Sequence, residues 1–99
     1  MTIEEVKMGD RIQLNIQGKV DTMTAPELQS AILKAFQKSS NVIANFSEVR
    51  YVSSAGLRAL LIGMKTAKSK GGSFVLTNVS DDVKDVFKVT GFANILTIE

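Results

Sequence analysis

VIANFSEVRYVSSAGLRALLIGMKTA, residues 42–67, joins an apolar run to a helical stripe through a short polar loop. Val42-Ile43-Ala44-Asn45-Phe46 is nearly continuous apolar sequence, which reads as a strand covered on both faces, central in its sheet and parallel to its neighbours. A loop from Ser47 to about Ser53 follows. Leu57, Leu60, Leu61, Met64 and Ala67 then recur at offsets 0, 3, 4, 7 and 10, the spacing of one helix face. Ser53 or Ser54 caps the start of this helix. Lys65, Lys68 and Lys70 crowd its end, where cations oppose the helix dipole, and Gly71-Gly72 stops it.

Upstream, Ile12, Leu14 and Ile16 alternate with Arg11, Gln13, Asn15 and Gln17, so a strand over 11–17 has one wet face. Gly9-Asp10 before it is a two-residue hairpin signal, which predicts an antiparallel partner at about 3–8. Thr24-Ala25-Pro26-Glu27 has the spacing of a capping box, with Pro26 in the first turn, where a missing N–H is harmless. Leu28, Ala31, Ile32, Ala35 and Phe36 share the face of the helix that follows, to about Lys38. Downstream, Phe74-Val75-Leu76 reads as a buried strand. Ser80 with Asp81 and Asp82 opens a short helix carrying Val83, Val86 and Phe87, which Gly91 ends. Residues Ile95 to Ile98 form the last strand. The order β-β-α-β-α-β-α-β predicts a single α/β domain over 1–99, with a mixed sheet opened by an antiparallel hairpin and continued by alternating helices and parallel strands. Functional loops of such a sheet lie at the carboxyl ends of its strands. Here those are Gly18–Thr24 and Ser47–Ser54.

The chain has 99 residues, 44% hydrophobic and 22% charged, an ordinary globular mix with room for one two-layer core. Its longest apolar stretch, about Ala59 to Met64, is far below the ~20 residues that span a bilayer, so no membrane insertion is expected. Glu4 and Glu5 stand where a signal peptide would be basic, which with the absence of Cys leads us to expect a cytoplasmic protein. There is neither Cys nor His, which excludes disulfides, thiol nucleophiles, the common zinc sites and Ser-His couples. No phosphate-cradling glycine loop appears, so neither an enzyme nor a cofactor or metal is expected. Twelve basic and ten acidic side chains nearly cancel, and Lys65, Lys68 and Lys70 are too thin a patch for nucleic acid.

Chemistry concentrates at Ser53-Ser54-Ala55-Gly56. A helix N-terminus offers free N–H groups and partial positive charge, so a hydroxyl there can carry a phosphate without unfolding the domain. Gly56, lacking a side chain, is expected to leave the first turn open to another molecule. The plain reading of the same residues is a helix cap. Arg58, four residues after Ser54, shares its helix face and reads either as a plainly solvated side chain or as a contact to a phosphate or a partner carboxylate. Asp21 reads as a turn residue bonded to nearby N–H groups. Met23, apolar in a polar loop, suits either an adaptable contact or the core.

Tyr51-Val52-Ser53-Ser54-Ala55-Gly56-Leu57 resembles the signature of STAS domains, in particular single-domain bacterial anti-sigma factor antagonists. Gly18-Lys19-Val20-Asp21, Val42 to Phe46, Gly71-Gly72, Phe74-Val75-Leu76, Val86-Phe87 and Gly91-Phe92 resemble further family motifs in order, over nearly the whole chain. The resemblance implies Ser54 as phosphoacceptor, with Ser53 as second choice. The family's Asp position is occupied here by Ser53, which can cap but carries no charge. It also implies a partner-facing surface of Asp21, Thr22, Met23, Ser53, Ser54, Ala55, Gly56 and Arg58. The implied function is partner switching. The unphosphorylated protein binds an anti-sigma factor that is also a serine kinase of the histidine-kinase-like ATPase fold, phosphorylation releases it, and a PP2C-type phosphatase restores it. The alternative the resemblance leaves is an unphosphorylated STAS adaptor subunit of a larger assembly, such as a membrane-transport ATPase.

Overall fold

A computed structural model describes all 99 residues. Gly9, at φ +66°, turns the chain so that β1 (Thr2–Met8) folds back on β2 (Arg11–Gln17), with Met8 opposite Arg11. The chain continues through α1 (Ala25–Lys38), β3 (Asn41–Glu48), α2 (Ser54–Ser69), β4 (Ser73–Thr77), α3 (Asp81–Thr90), a 3-10 turn at Phe92–Asn94 and β5 (Thr97–Ile98). The five strands lie in the order β1-β2-β3-β4-β5; β1 and β2 are antiparallel and every later pair is parallel. The expected α/β architecture is therefore present.

One face of this sheet carries the core. Ile12, Leu14 and Ile16 of β2, Val42, Ala44 and Phe46 of β3, and Phe74 and Leu76 of β4 are fully buried. Leu28, Ile32 and Phe36 from α1 and Leu57, Leu60 and Met64 from α2 pack into the same cluster, joined by Val83 and Phe87 of α3. Helices α1 and α2 lie against each other, and Phe36 of α1 meets Phe74 of β4 at a ring separation of 6.0 Å. Burying each of these aromatic side chains contributes about 1.5–3 kcal/mol.

The opposite face is open, which corrects the expectation that β3 is covered on both sides. Ile43 and Val75 there are only half-buried. Their neighbours are hydrogen-bonded amides: Asn45 Nδ2 donates across to Asn15 Oδ1 (2.9 Å), Gln13 Nε2 donates along β2 to the same oxygen (2.8 Å), and Asn78 Nδ2, just past β4, donates to Asn45 Oδ1 (3.0 Å). An apolar run interrupted by one Asn thus alternates like any half-covered strand. The β3 strand is nevertheless central and parallel to both neighbours.

Two local expectations shift. The box drawn from Thr24 and Glu27 does not form. The Thr24 side chain caps none of the N–H groups of α1 and its backbone is already near-helical. The reciprocal pair lies three residues earlier. Asp21 Oδ1 accepts from the N–H groups of Thr24 (3.0 Å) and Met23 (2.9 Å), while Thr24 Oγ1 accepts from the Asp21 N–H (2.9 Å). The Thr24 hydroxyl is engaged upstream, by the Asp21 N–H and the Lys19 carbonyl, and does not turn toward α1. The last strand also shrinks to Thr97–Ile98. Ile95 and Leu96 instead send their N–H groups back to Phe92 O (3.0 and 2.8 Å), so Ile95 stands exposed.

Candidate functional site

The two conspicuous loops are built as one unit. Beyond β2 the chain keeps following the segment after β3: Val20 and Val52 form an isolated parallel bridge. Gly18 N–H donates to Glu48 O (3.2 Å), Val20 N–H to Tyr51 O (3.0 Å) and Ser53 N–H to Val20 O (2.7 Å). Val20 and Val52 are both buried. This bridge sets the turn before α1 beside the first turn of α2.

Gly56 makes that approach possible. A Cβ at this position would lie 2.6 Å from Val20 Cγ1 and 2.9 Å from Val52 Cγ1, distances that real side chains do not reach. Gly56 is buried. Its missing side chain admits the protein's own Val20 and not a visiting molecule, which corrects the reading of an open first turn.

Ser53 and Ser54 have different surroundings. Ser53 is the N-cap of α2, extended at φ −87° and ψ 175°, and its Oγ accepts from the Gly56 N–H (3.3 Å). Its carbonyl accepts from the Leu57 N–H (2.9 Å). It is half-buried, whereas Ser54, the first residue of the helix, is exposed and its hydroxyl has no partner within the chain. The N–H groups of Ser54 and Ala55 also lack an acceptor. The α2 tip therefore carries a free hydroxyl over free donors in the positive field of a helix start, with no acidic residue in the first turn.

Around it, Asp21 is fixed by the turn just described. The Thr24 N–H bond foremost, with help from the Thr24 hydroxyl, the Met23 N–H and the charge of Lys19, holds its carboxyl below the ordinary Asp value. Thr24 Oγ1 donates to Lys19 O (2.7 Å), which closes the turn. Met23 projects from it, 87% exposed, so of its two readings the core is excluded. Thr22 and Arg58 are exposed, and Ala55 is half-buried. Together with Ala25, Pro26 and Leu33 they line an open groove of about 420 Å³ between α1 and the start of α2. Arg58 makes no ion pair; the chain's single salt bridge is Lys38 with Glu5, elsewhere. Tyr51, half-exposed two residues before Ser53, enters the sequence reading only as part of the signature run, and Leu33 on the groove wall is not singled out by sequence reasoning. Their signal is positional only: apolar residues off the core-facing period, next to a functional loop. No group of three or more His, Cys, Asp or Glu side chains gathers as a metal site, and no helix is long and apolar enough to cross a membrane.

Comparison with known proteins gives consistent results. The family model described as STAS domain matches residues 3–99. The chain is 30% identical over 95 residues to a Bacillus subtilis protein named anti-sigma-B factor antagonist, covering 95% of this chain and 87% of that one. Its fold is similar to that of the anti-sigma factor antagonist SpoIIAA in unphosphorylated form, with a TM-score of 0.82 and 21% identity over 99% of this chain and 88% of that one. The phosphorylated form of Bacillus SpoIIAA superposes with a TM-score of 0.75 and 20% identity over 99% and 91% of the two chains.

Proposed function

The chain belongs to the STAS domain family, and from that premise we propose that it is an anti-sigma factor antagonist that works by partner switching. Unphosphorylated, it binds an anti-sigma factor through the joined tips of α1 and α2. The partner is also a serine kinase of the histidine-kinase-like ATPase fold, acting in the cytoplasm. It transfers the γ-phosphoryl group of ATP to Ser54 Oγ, whose proton leaves as ADP departs, and the complex separates. A PP2C-type phosphatase hydrolyses the ester and resets the switch.

The observation that carries this reading is the contrast within the serine pair. The Ser54 hydroxyl is exposed and unbonded at the first helical position, while the Ser53 hydroxyl is engaged as the cap. A phosphoserine carries about −1.5 to −2 charges at pH 7. In the free protein the unpaired N–H groups of Ser54 and Ala55, the helix field and the cation of Arg58 one turn on would accommodate it. In a complex shaped for a hydroxyl it would be desolvated without a matching cation. A difference of ~3–4 kcal/mol weakens binding a few hundredfold, with no rearrangement of the fold.

Titration calorimetry with the anti-sigma factor tests the switch. Ser54→Ala is expected to bind like the wild type, and Ser54→Asp to bind at least a hundredfold more weakly. Intact-mass measurement after incubation with the kinase and ATP tests the acceptor. Wild type and Ser53→Ala should each gain one phosphate, and Ser54→Ala none. Equal affinity of Ser54→Asp and wild type defeats the scheme, and a phosphate retained in Ser54→Ala moves the acceptor to another residue. A partner that binds tightly yet never phosphorylates the chain would leave the constitutive adaptor as the function.

A further inference from the structure

The two edges of the sheet differ. Strand β5 has only two residues, while β1 presents seven with nothing beyond it. The two-residue turn closes on Met8 and Arg11, which makes that pair hydrogen-bonded and fixes the alternation along the hairpin. Thr2, Glu4, Val6 and Met8 direct their backbone groups to β2. Ile3, Glu5 and Lys7 direct theirs outward, and no other backbone bond reaches them. Charges on the core-side face of an edge strand, here Glu5 and Lys7, block pairing with an unmatched strand and admit one whose charges are complementary.

We infer that the free edge of β1 binds a second copy of this chain, antiparallel and centred on Val6. Residues opposite each other in an antiparallel pair point to the same face, so only even registers keep both copies' cores on one side. Pairing centred on Glu5 places Glu5 against its own copy, and pairing centred on Glu4 does the same for Glu4; like charges directly opposite are unfavourable. Centring on Val6 sets Glu5 against the copy's Lys7 twice, Val6 against Val6 and Glu4 against Met8. Glu5 and Lys7 are also the residues with outward backbone groups, so each such pair can exchange two N–H···O bonds. The strand is thus self-complementary in charge, in apolar contact and in hydrogen-bonding phase in one register.

The surroundings leave room for it. A groove of about 320 Å³ runs beside Glu5 beneath α1, floored by Ile3 and Leu14, with the carboxylate of Glu27 and the ammonium of Lys34 on its wall. The copy's Lys7 stem can enter there. Lys38, which bonds Glu5 from the end of α1, is itself more than half exposed and can share that carboxylate. A two-fold axis through Val6 perpendicular to the sheet would give a continuous ten-stranded sheet, with the two Ser54 tips at opposite ends, both free.

Sedimentation velocity of the full chain from about 10 µM to about 1 mM is the test. The wild type should show concentration-dependent dimers. Glu5→Lys and Lys7→Glu, each placing like charges opposite twice, should each lower the association constant about tenfold or more. An equimolar mixture of the two variants restores opposite charges in this register and should dimerise like the wild type. A wild type that stays monomeric throughout, variants that dimerise undiminished, or a mixture that fails to restore association each overturns the inference. Circular dichroism of each variant confirms that the fold is retained.

Discussion

The tips of α1 and α2 stand side by side, joined by the Val20–Val52 bridge, but their polar atoms are used in opposite ways. At the α1 tip, Asp21 accepts from two N–H groups, Thr24 accepts from Asp21 and donates to Lys19, and little is left for a visitor. At the α2 tip, Ser53 alone serves the helix and Ser54 serves nothing in the chain. Capping hydroxyls are common and uninformative. A second hydroxyl left over after the cap is satisfied marks a place where chemistry can act without dismantling the fold. The α1 tip is closed by its own hydrogen bonds, and the α2 tip beside it keeps a free hydroxyl.

Substitutions can break or sharpen this contrast. The largest effect is expected from Gly56→Ala, whose Cβ would press on Val20 and Val52 and pry the tips apart. Overpacking costs about 1–3 kcal/mol, and the better helix propensity of Ala returns up to about 1 kcal/mol, leaving a net loss of about 1–2 kcal/mol in urea unfolding. An unchanged midpoint would mean that the tips do not depend on close approach.

Next comes Asp21→Asn. The folded carboxyl is held below its ordinary value by its N–H bonds, so its stabilisation is complete above the unfolded value of about 3.9 and is lost as pH falls through the lower folded value. The variant should therefore melt below wild type at neutral pH, with the gap closing in acid. Parallel melting curves from neutral pH to about pH 2 would show that the α1 turn is not held by charge. The smallest effects concern the serine pair. Ser53→Ala should cost about 1 kcal/mol as a lost cap, and Ser54→Ala less than about 0.5 kcal/mol. Equal losses would place the Ser54 hydroxyl in the structure and end the contrast.

Much of this architecture is legible without coordinates, because periodicity reports which side of an element is dry. The alternation of 11–17 and the stripe from Leu57 to Ala67 fall where the structure has β2 and α2. Misreadings arise where several local patterns compete. Thr24 begins a spacing that a capping box accepts, but its hydroxyl is already engaged by the Asp21 N–H and the Lys19 carbonyl upstream. Gly56 reads as open space until Val20, distant in sequence, is found filling it. The run Val42–Phe46 hides its wet face because Asn45 is its only polar side chain, and the partner amides come from β2 (Asn15) and from the turn just after β4 (Asn78). Local sequence carries the elements, while the contacts between elements decide what each tip exposes.

The Val20–Val52 bridge has one further consequence. Loops that contact partners often have to be frozen at the moment of encounter, which costs conformational entropy and slows capture. Here a single rung of backbone pairing, sealed by two buried valines, already fixes one loop against the other during folding. The paired loops therefore present one pre-set surface, and on it the Ser54 hydroxyl is the group left without a partner in the chain.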